Sequence, residues 1–342
     1  MSTSNPKKVV VFAPSWVGDM VMAQTLFQLI KQQDPNTIID VVAPPATESL
    51  AKLMPEIRKS FRIPGRYGKI TFKQRFEIAR LLRQEAYDEA ILLPNSFLSA
   101  LLPFLARIPK RVGWHREGRF ILLNDARRLD KSRLTLVIER FMALGVPKNA
   151  EIPSPYPRPR FEVDPTIVSA VRNKFQLNQT QPILTLCPGA EYGPAKRWPA
   201  EYYGAVAKER VEAGWQVWIF GSPKEKPLAE IIQATADQRC VDLTGRTDLL
   251  EAVNLLSCAN QVVSNDSGLM HIASALARPV VAIYGSTLGN FAPPLAEHAK
   301  SLELDLPCRP CGQRECPLGH LNCLRLLTPQ MVLSALAELE AN

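Results

Sequence analysis

The residue types best suited to hold an anion lie in the segment 262–273. Its apolar β-branched start, Val262 and Val263, predicts a buried strand. Three residues that commonly cap helices follow: Asn265, Asp266 and Ser267. The free N–H groups and the dipole at the start of the next helix stabilise a phosphate. Gly268 lets a ligand approach the backbone closely. His271 falls in the first turn of the helix, near enough to donate to the same anion. The segment predicts a phosphate site; an ordinary strand-to-helix turn with a core histidine is the alternative.

Lys196 and Arg197 follow a second loop, which is rich in glycine and proline. This loop contains Gly189 and Gly193, and Pro199 stands where the first residue of a helix is expected. A glycine-rich turn with a lysine at the carboxyl end of a strand can clamp a diphosphate. Two surface cations before a helix are the alternative.

The loop 221–225 places a carboxylate at a third strand end. Glu225 can accept hydrogen bonds from both hydroxyls of a ribose, or it can be an ordinary acidic residue at a helix start. Gly221 and Ser222 belong to the same loop. Thr244 and Gly245 are expected to line the base of a nucleotide, although the residues themselves do not identify that base.

Asp19 ends the loop that follows the first predicted strand. The pattern predicts a strand over 8–13, a loop over 14–19 and a helix from about residue 20 to residue 33. A carboxylate in this loop can take a proton from a hydroxyl as a general base, or it can cap the helix. The loop lacks the spacing G-x-G-x-x-G, so it does not predict a dinucleotide site.

The segment 111–119 interleaves cations with an aromatic side chain. Arginine binds phosphate through paired hydrogen bonds, and tryptophan can stack on the face of a sugar. We assign the following residues to an anionic acceptor: Ser15, Trp16, Asn95, Ser96, Arg111, Trp114, Arg116 and Arg119. A solvated charged run is the alternative for the arginine-rich part.

Four of the seven cysteines lie within sixteen residues: Cys308, Cys311, Cys316 and Cys323. With His320 nearby they could bind zinc or an iron–sulfur cluster. The second pair lacks the close C-x2-C spacing of a zinc ribbon, and disulfides are not expected in a cytosolic enzyme. A structural zinc and a plain loop therefore both stay open. The other three cysteines fall in core patterns and are expected to be inert.

Strands that alternate with helices must position these loops. The pattern predicts strands over 38–43, 90–93 and 111–114 and helices near 72–84, 96–106 and 134–144, and the alternation restarts after residue 160. This order is typical of a doubly wound parallel sheet. Residues 152–159 carry four alternating prolines and predict a stiff linker. The 342 residues thus predict two α/β domains, 1–158 and 159–327.

Charge is distributed unevenly between the two predicted domains. Residues 1–160 hold 26 Lys and Arg against 14 Asp and Glu, and the remainder holds 15 against 19. A basic half suggests an anionic partner, but no nucleic-acid-binding motif accompanies it, so nucleic acid is not expected. No apolar stretch is long enough to span a membrane and no signal peptide is evident, which predicts a cytoplasmic protein.

Three separated motifs resemble those of the ADP-heptose:lipopolysaccharide heptosyltransferases of glycosyltransferase family 9: residues 14–20, 187–199 and 262–273. The resemblance runs from about Val9 to the C-terminal helix. It implies the GT-B architecture, in which two Rossmann-like doubly wound parallel-sheet domains face each other across a cleft. It further implies that domain 1–158 binds the acceptor and that domain 159–327, with its Cys-rich segment 308–323, binds the donor. The C-terminal helix, 328–342, would pack back on the first domain.

The resemblance also implies an activity. It is inverting transfer of L-glycero-D-manno-heptose from ADP-L-glycero-D-manno-heptose to the first heptose of the lipopolysaccharide inner core. The partners would be this nucleotide sugar and a lipid A-Kdo-heptose acceptor, met by a cytoplasmic enzyme bound peripherally to the inner face of the inner membrane of a Gram-negative bacterium. In the family the aspartate of the first loop is the proposed base, here Asp19, and the lysine that binds the diphosphate is here Lys196.

No D-x-D motif occurs in the chain, so no cofactor is expected for catalysis. The charge of the leaving group would fall on Lys196, on the segment 266–268 and on His271. Three alternatives stay open. The chain could be a sibling heptosyltransferase that acts on a different core sugar, a sugar-nucleotide epimerase on the same fold, or a non-catalytic protein that binds a nucleotide sugar.

Overall fold

The computed structural model of the protein describes residues 5–65, 67, 71–177 and 180–340. The chain divides into two compact units, Met1–Pro159 and Arg160–Asn342, one residue after the expected boundary. The outer ends of the predicted domains, residues 1–4 and 341–342, lie outside the described residues. Residues 152–159 are all described and contain neither helix nor strand, as the alternating prolines require.

The first unit is built on a six-stranded parallel sheet with the strand order β3-β2-β1-β4-β5-β6. The strands are β1 (Lys8–Phe12), β2 (Ile38–Ala43), β3 (Ile57–Arg62), β4 (Glu89–Leu92), β5 (Lys110–Trp114) and β6 (Asp125–Arg127). The helices are α1 (Val17–Gln33), α2 (Pro45–Glu48), α3 (Phe72–Gln84), α4 (Phe97–Leu105) and α5 (Val137–Gly145). Continuous apolar runs form the inner strands because helices on both faces bury them.

The second unit repeats this plan with the order β12-β11-β10-β7-β8-β9, and all its strand pairs are parallel. The strands are β7 (Ile183–Cys187), β8 (Gln216–Ile219), β9 (Val241–Asp242), β10 (Gln261–Asn265), β11 (Val280–Ile283) and β12 (Ala299–Leu302). The helices are α6 (Pro165–Lys174), α7 (Ala200–Glu212), α8 (Lys226–Thr235), α9 (Leu249–Leu256), α10 (Gly268–Ala275), α11 (Asn322–Arg325) and α12 (Pro329–Glu340). The prediction of doubly wound parallel sheets is confirmed.

The C-terminal helix α12 belongs to the second unit, which corrects the expectation that it packs on the first. Its apolar face, including Val332 and Leu336, is part of the core that the second sheet forms with α7. The backbone is tied to the same core, since the Gln261 side-chain amide donates to Leu336 O at 2.7 Å. The amphipathic face of α12 therefore finds its apolar partner within its own unit.

The described residues include no helix with both the length and the apolar character that crossing a bilayer requires.

Candidate functional site

Each sheet has one point at which the strand order reverses, and ligands of doubly wound sheets bind in the crevice at the carboxyl ends of the strands there. In the second unit this point lies between β7 and β10. The loops that leave these two strands are the predicted diphosphate loop, 188–199, and the predicted phosphate loop, 265–268. In the first unit the reversal lies between β1 and β4, where Asp19 and Asn95 follow the strand ends.

Asn265 fastens the two loops of the second unit together. The side chain is buried, and its Nδ2 donates to Pro188 O at 2.7 Å. Its Oδ1 accepts from Trp198 N and from Tyr203 Oη, both at 3.0 Å. The sequence suggested only a helix cap for this residue. An amide that can donate and accept at a strand end was the available signal for its bridging role.

Lys196 and Asp266 come together at this edge, although 70 residues separate them in the chain. The Lys196 ammonium forms a salt bridge with the Asp266 carboxylate, and Thr287 Oγ1 donates to the same carboxylate at 2.7 Å. The Lys196 Nζ also lies 5.0 Å from the centroid of the Tyr192 ring. The predicted clamp lysine is thus already held beside the predicted phosphate loop. Thr287 and Tyr192 are neighbours that the sequence analysis missed.

The N-terminus of α10 is available to an anion. Ser267 is the N-cap residue and makes no side-chain cap hydrogen bond; its Oγ lies 3.2 Å from Ser264 Oγ instead. The helix begins at Gly268, and because the first N–H groups of a helix have no partner within it, this end is suited to an anion.

His271 lies in the first turn of α10 and is buried. Burial lowers its pKa to about 4, against the raising effect of Asp266. The imidazole is therefore neutral near pH 7 and can donate one hydrogen bond, but it adds no full positive charge to the site.

Glu225 fills the space between the loops after β7 and β8. Its Oε2 accepts from Ser222 N at 2.8 Å and from Ser222 Oγ at 2.5 Å, so it does cap the turn in which it lies. A Cβ on Gly189 would stand 2.9 Å from Glu225 Cγ, and one on Gly221 would stand 2.8 Å from Glu225 Cβ. Both glycines therefore make room for this carboxylate at the strand-end crevice.

Three other predicted donor-loop residues, Arg197, Thr244 and Gly245, have local partners. Arg197 donates from Nε and Nη2 to Ala190 O, each at 3.2 Å, and so braces its own loop. Thr244 is buried and donates from both N and Oγ1 to Asp242. Gly245 N donates to Gly221 O at 2.8 Å, which joins the loops that follow β8 and β9.

Asp19 lies in the first turn of α1, not in front of it. The helix begins at Val17, three residues earlier than predicted, and Trp16 is the N-cap residue without a side-chain cap bond. Asp19 is therefore not the N-cap, which corrects the alternative that the sequence left open. Ser15 and Asp19 are half-buried, and Trp16 is 43% exposed.

Arg119 does not point outward, which corrects its predicted role as an acceptor ligand. The side chain is fully buried, donates from Nε to Trp114 O at 2.8 Å and from Nη2 to Asn95 Oδ1 at 3.1 Å, and its Nη1 donates to Pro94 O. Arg119 thus fixes the loop that carries Asn95. Ser96 follows in that loop as the N-cap of α4.

Two further residues of the 111–119 segment also face inward. Arg111 donates from Nε to Leu122 O at 2.7 Å and from Nη1 to Ile108 O at 2.5 Å, and Trp114 is buried at the end of β5. Trp114 is thus largely removed from the surface, and the half-buried Arg111 uses two of its nitrogens on backbone carbonyls. Arg116 is exposed and keeps its predicted role as a proposal.

All seven cysteines are free thiols. Burial raises the pKa of Cys187 and raises that of Cys240 to about 12, so these two thiols are protonated and inert. Within the described residues, no three His, Cys, Asp or Glu side chains already stand in the geometry of a metal site.

Comparisons with known proteins show which family the chain resembles in sequence and in fold. Residues 75–322 match the sequence model of glycosyltransferase family 9 (heptosyltransferase). The chain is 40% identical over 341 residues to lipopolysaccharide heptosyltransferase 2 of Salmonella typhimurium, covering 97% of this chain and 98% of the relative. It is 40% identical to lipooligosaccharide heptosyltransferase 2 of Haemophilus influenzae, with coverages of 97% and 99%. The structure of E. coli ADP-heptose LPS heptosyltransferase II superposes with a TM-score of 0.87 at 39% identity, covering 97% and 98% of the two chains.

Proposed function

The chain belongs to glycosyltransferase family 9, the heptosyltransferases, and we propose that it transfers L-glycero-D-manno-heptose from ADP-heptose to the first heptose of the lipopolysaccharide inner core. This is the activity expected of a heptosyltransferase II. The observation that carries the proposal is the grouping of Lys196, Asp266 and the open N-terminus of α10 at the strand-order reversal of the second sheet. Relatives of nearly the same length with 40% identity support it.

The second unit would hold the donor. A diphosphate at the N-terminus of α10 gains from the helix dipole and the free N–H groups, and it would compete with Asp266 for the Lys196 ammonium. As ADP departs, negative charge grows on the β-phosphate oxygens. Lys196, the α10 N-terminus and a hydrogen bond from neutral His271 would stabilise that charge. Glu225 is the proposed partner of the ribose hydroxyls.

Asp19 of the first unit is the proposed general base. In an inverting transfer the acceptor hydroxyl attacks the anomeric carbon from the side opposite ADP. The new C–O bond forms while the bond to the diphosphate breaks, and ADP leaves with the bonding electron pair. The hydroxyl proton passes to the Asp19 carboxylate, which needs no raised pKa because the hydroxyl becomes acidic only as the bond forms.

Asn95, Ser96, Arg116 and the exposed Trp16 are the proposed contacts to the phosphorylated sugar acceptor. Asn95 and Ser96 follow β4 at the strand-order reversal of the first sheet, and the hydrogen bond from Arg119 orders their loop. Because ligands of such sheets bind at this position, these polar side chains are suited to the acceptor hydroxyls. Arg116 adds a cation that can pair with a phosphate.

We also propose that the first unit docks on the anionic inner face of the inner membrane, where a lipid-linked acceptor resides. On α3, Phe72 and Phe76 are 72% and 60% exposed, and the cations Lys73 and Arg80 lie exposed on the same helix. Apolar side chains that enter the lipid headgroup region, together with cations that meet anionic lipids, are the features of a peripheral membrane helix.

The direct test is transfer from ADP-heptose to two purified acceptors, one that ends in Kdo and one that carries the first heptose, with the products resolved by mass spectrometry. The proposal predicts that one heptose is added to the second acceptor only. Transfer to the Kdo-terminated acceptor would identify a sibling enzyme. ADP-heptose binding without transfer to either would identify a non-catalytic protein, and conversion of the nucleotide sugar without an acceptor would identify an epimerase.

A further inference from the structure

A small cavity in the second unit brings together all four cysteines of the segment 308–323. Seven polar or sulfur-bearing side chains contribute to its lining: Ser286, Cys308, Arg309, Cys311, Cys316, His320 and Cys323. The free volume of the cavity is about 20 Å³, which suits a single ion or water and excludes a nucleotide.

The lining offers an unusual density of metal-binding atoms. Gly319 N donates to Cys316 O at 3.1 Å, so the chain turns back on itself directly after this cysteine. Gly312 follows Cys311 directly and has φ of 63°, a left-handed conformation that suits a tight turn beside a ligand cysteine. Ser286 is buried, and its hydroxyl has no hydrogen-bond partner within the described part of the chain. The cavity therefore holds both soft ligands and an unsatisfied polar group.

We propose that Cys308, Cys311, Cys316 and Cys323 bind one thiophilic metal ion, Zn²⁺ or Fe²⁺, as a tetrathiolate site. Four thiolates are a common ligand set for structural zinc, with Zn–S distances of about 2.3 Å. The thiols as they stand do not converge on one point, so binding requires the cysteine side chains to rotate toward the cavity and to release their protons. The C-x2-C pair would anchor the ion, and Cys316 and Cys323 would close the site.

The segment that would hold the metal also supports the loop that carries Lys196. Ala195 N donates to Arg314 O at 3.0 Å, and Tyr192 Oη donates to Gly312 O at 2.5 Å. A Cβ on Gly193 would collide with Arg314 O, so the two segments pack backbone against backbone. The metal would therefore act as a structural support for the diphosphate loop, without taking part in the transfer itself.

Metal analysis of the full-length protein tests the site. The protein is purified under reducing conditions without chelator, and its zinc and iron are measured by mass spectrometry. We expect one metal ion per chain, four thiols that become reactive only after chelation, and the visible absorption of a thiolate site after Co²⁺ replacement. Cys311→Ser and Cys316→Ser should each lose the metal, whereas Cys258→Ser, which lies outside the segment, should retain it. Metal far below one per chain in the wild type, with all four thiols reactive before chelation, would overturn the proposal.

The supporting role has a separate test, which rests on the proposed function because it uses ADP. Removing the metal should weaken ADP binding, measured by calorimetry, by about 5- to 100-fold, the usual range for coupling between two sites. Stoichiometric metal with unchanged ADP affinity after its removal would refute the support of the diphosphate loop and leave the site intact. A wild-type protein that holds the metal but does not bind ADP would count against the proposed function alone.

Discussion

Asp19 lies within the first turn of α1, three residues after the N-cap residue Trp16, and so it is not the cap of this helix. Asp19→Asn keeps the shape and removes the proton acceptor. We expect near-normal stability and ADP binding with turnover lowered by roughly 10²–10⁴-fold, the usual effect of losing a general base. Turnover with a purified acceptor is the measurement, and Asp237→Asn on the exposed surface of the second unit is the control. Activity within a few-fold of wild type would exclude Asp19 as the base.

Lys196 is paired with Asp266, so its substitution affects a position that carries a salt bridge. Lys196→Ala should weaken ADP binding by about 10- to 100-fold, since a hydrogen bond to a charged group contributes about 1.5–3 kcal/mol. Turnover should fall as well, because the charge acts in both the ground state and the transition state. Calorimetry with ADP is the measurement. Lys208→Ala, which removes an exposed salt bridge with Asp237, should leave both the ADP affinity and the turnover unchanged. Unaltered ADP affinity in Lys196→Ala would refute the clamp.

Arg116 and Arg119 are close in sequence but differ in environment, so they form a matched pair. Arg119→Met would leave the carbonyl oxygens of Pro94 and Trp114 without their donor, at about 1–3 kcal/mol for each buried group. We expect a large loss of stability in denaturant unfolding. Arg116→Met should leave stability unchanged and raise KM for the acceptor. If Arg119→Met instead kept its stability and raised KM for the acceptor, Arg119 would be the acceptor ligand that the sequence suggested.

At the scale of elements, the inner strands were predictable and most of the edge strands were not. The valine-rich β1 is buried on both faces, so hydrophobicity alone reveals it. Three of the four edge strands, β3, β6 and β12, mix charged and small residues because one side of each lacks a neighbouring strand, and the sequence analysis missed them; the fourth, β9, it did predict. Their pairing depends on the sheet that is already formed, which no local pattern records.

The candidate site, too, was predictable in part: its loops could be predicted, but the contacts of its side chains could not. Loops at strand ends could be predicted because a parallel sheet places its carboxyl ends at one edge, and the grouping of Lys196 with Asp266 follows from that rule. The orientation of individual side chains could not. Arg119 turns inward because the carbonyl oxygens around it require a donor, and Asn265 bridges two loops because both end beside it. Pro94 lies 25 residues from Arg119 and Pro188 lies 77 residues from Asn265, so local sequence patterns gave no sign of these contacts.

The helix α3 carries the membrane prediction. The double variant Phe72→Ser/Phe76→Ser should weaken binding to vesicles of anionic lipid by about tenfold or more, since burying one phenylalanine contributes about 1.5–3 kcal/mol. Transfer to a detergent-soluble acceptor should be unaffected. Ile167→Ser, which removes an exposed apolar residue from α6 of the second unit, is the matched control. Vesicle binding that does not differ between the two variants would rule out α3 as the docking helix.

At the scale of the whole molecule, the two units share one sheet topology but differ in net charge. Both sheets have the strand order of a doubly wound fold, and each therefore presents one strand-order reversal for a ligand. The first half of the chain carries an excess of positive charge and the second an excess of negative charge. A basic unit suits an anionic acceptor at an anionic surface. In the proposed function the second unit would instead bind its anion locally, through one paired lysine and a helix N-terminus, despite its overall negative charge.

The buried His271 predicts how the stability of the second unit responds to acid. Burial holds the pKa of His271 at about 4, below the ordinary 6.5, so the unfolded chain takes up a proton below pH 6.5 that the folded second unit does not. The contribution of this histidine to stability is complete above pH 6.5 and is lost as the pH falls toward 4, up to about 3 kcal/mol. Between pH 6.5 and 5 the second unit should therefore lose stability before most carboxylates titrate. His271→Gln stays neutral and should flatten this dependence in denaturant unfolding. If stability falls with pH in parallel for the wild type and the variant, His271 takes up its proton in the folded protein without loss of stability, and the lowered pKa is wrong.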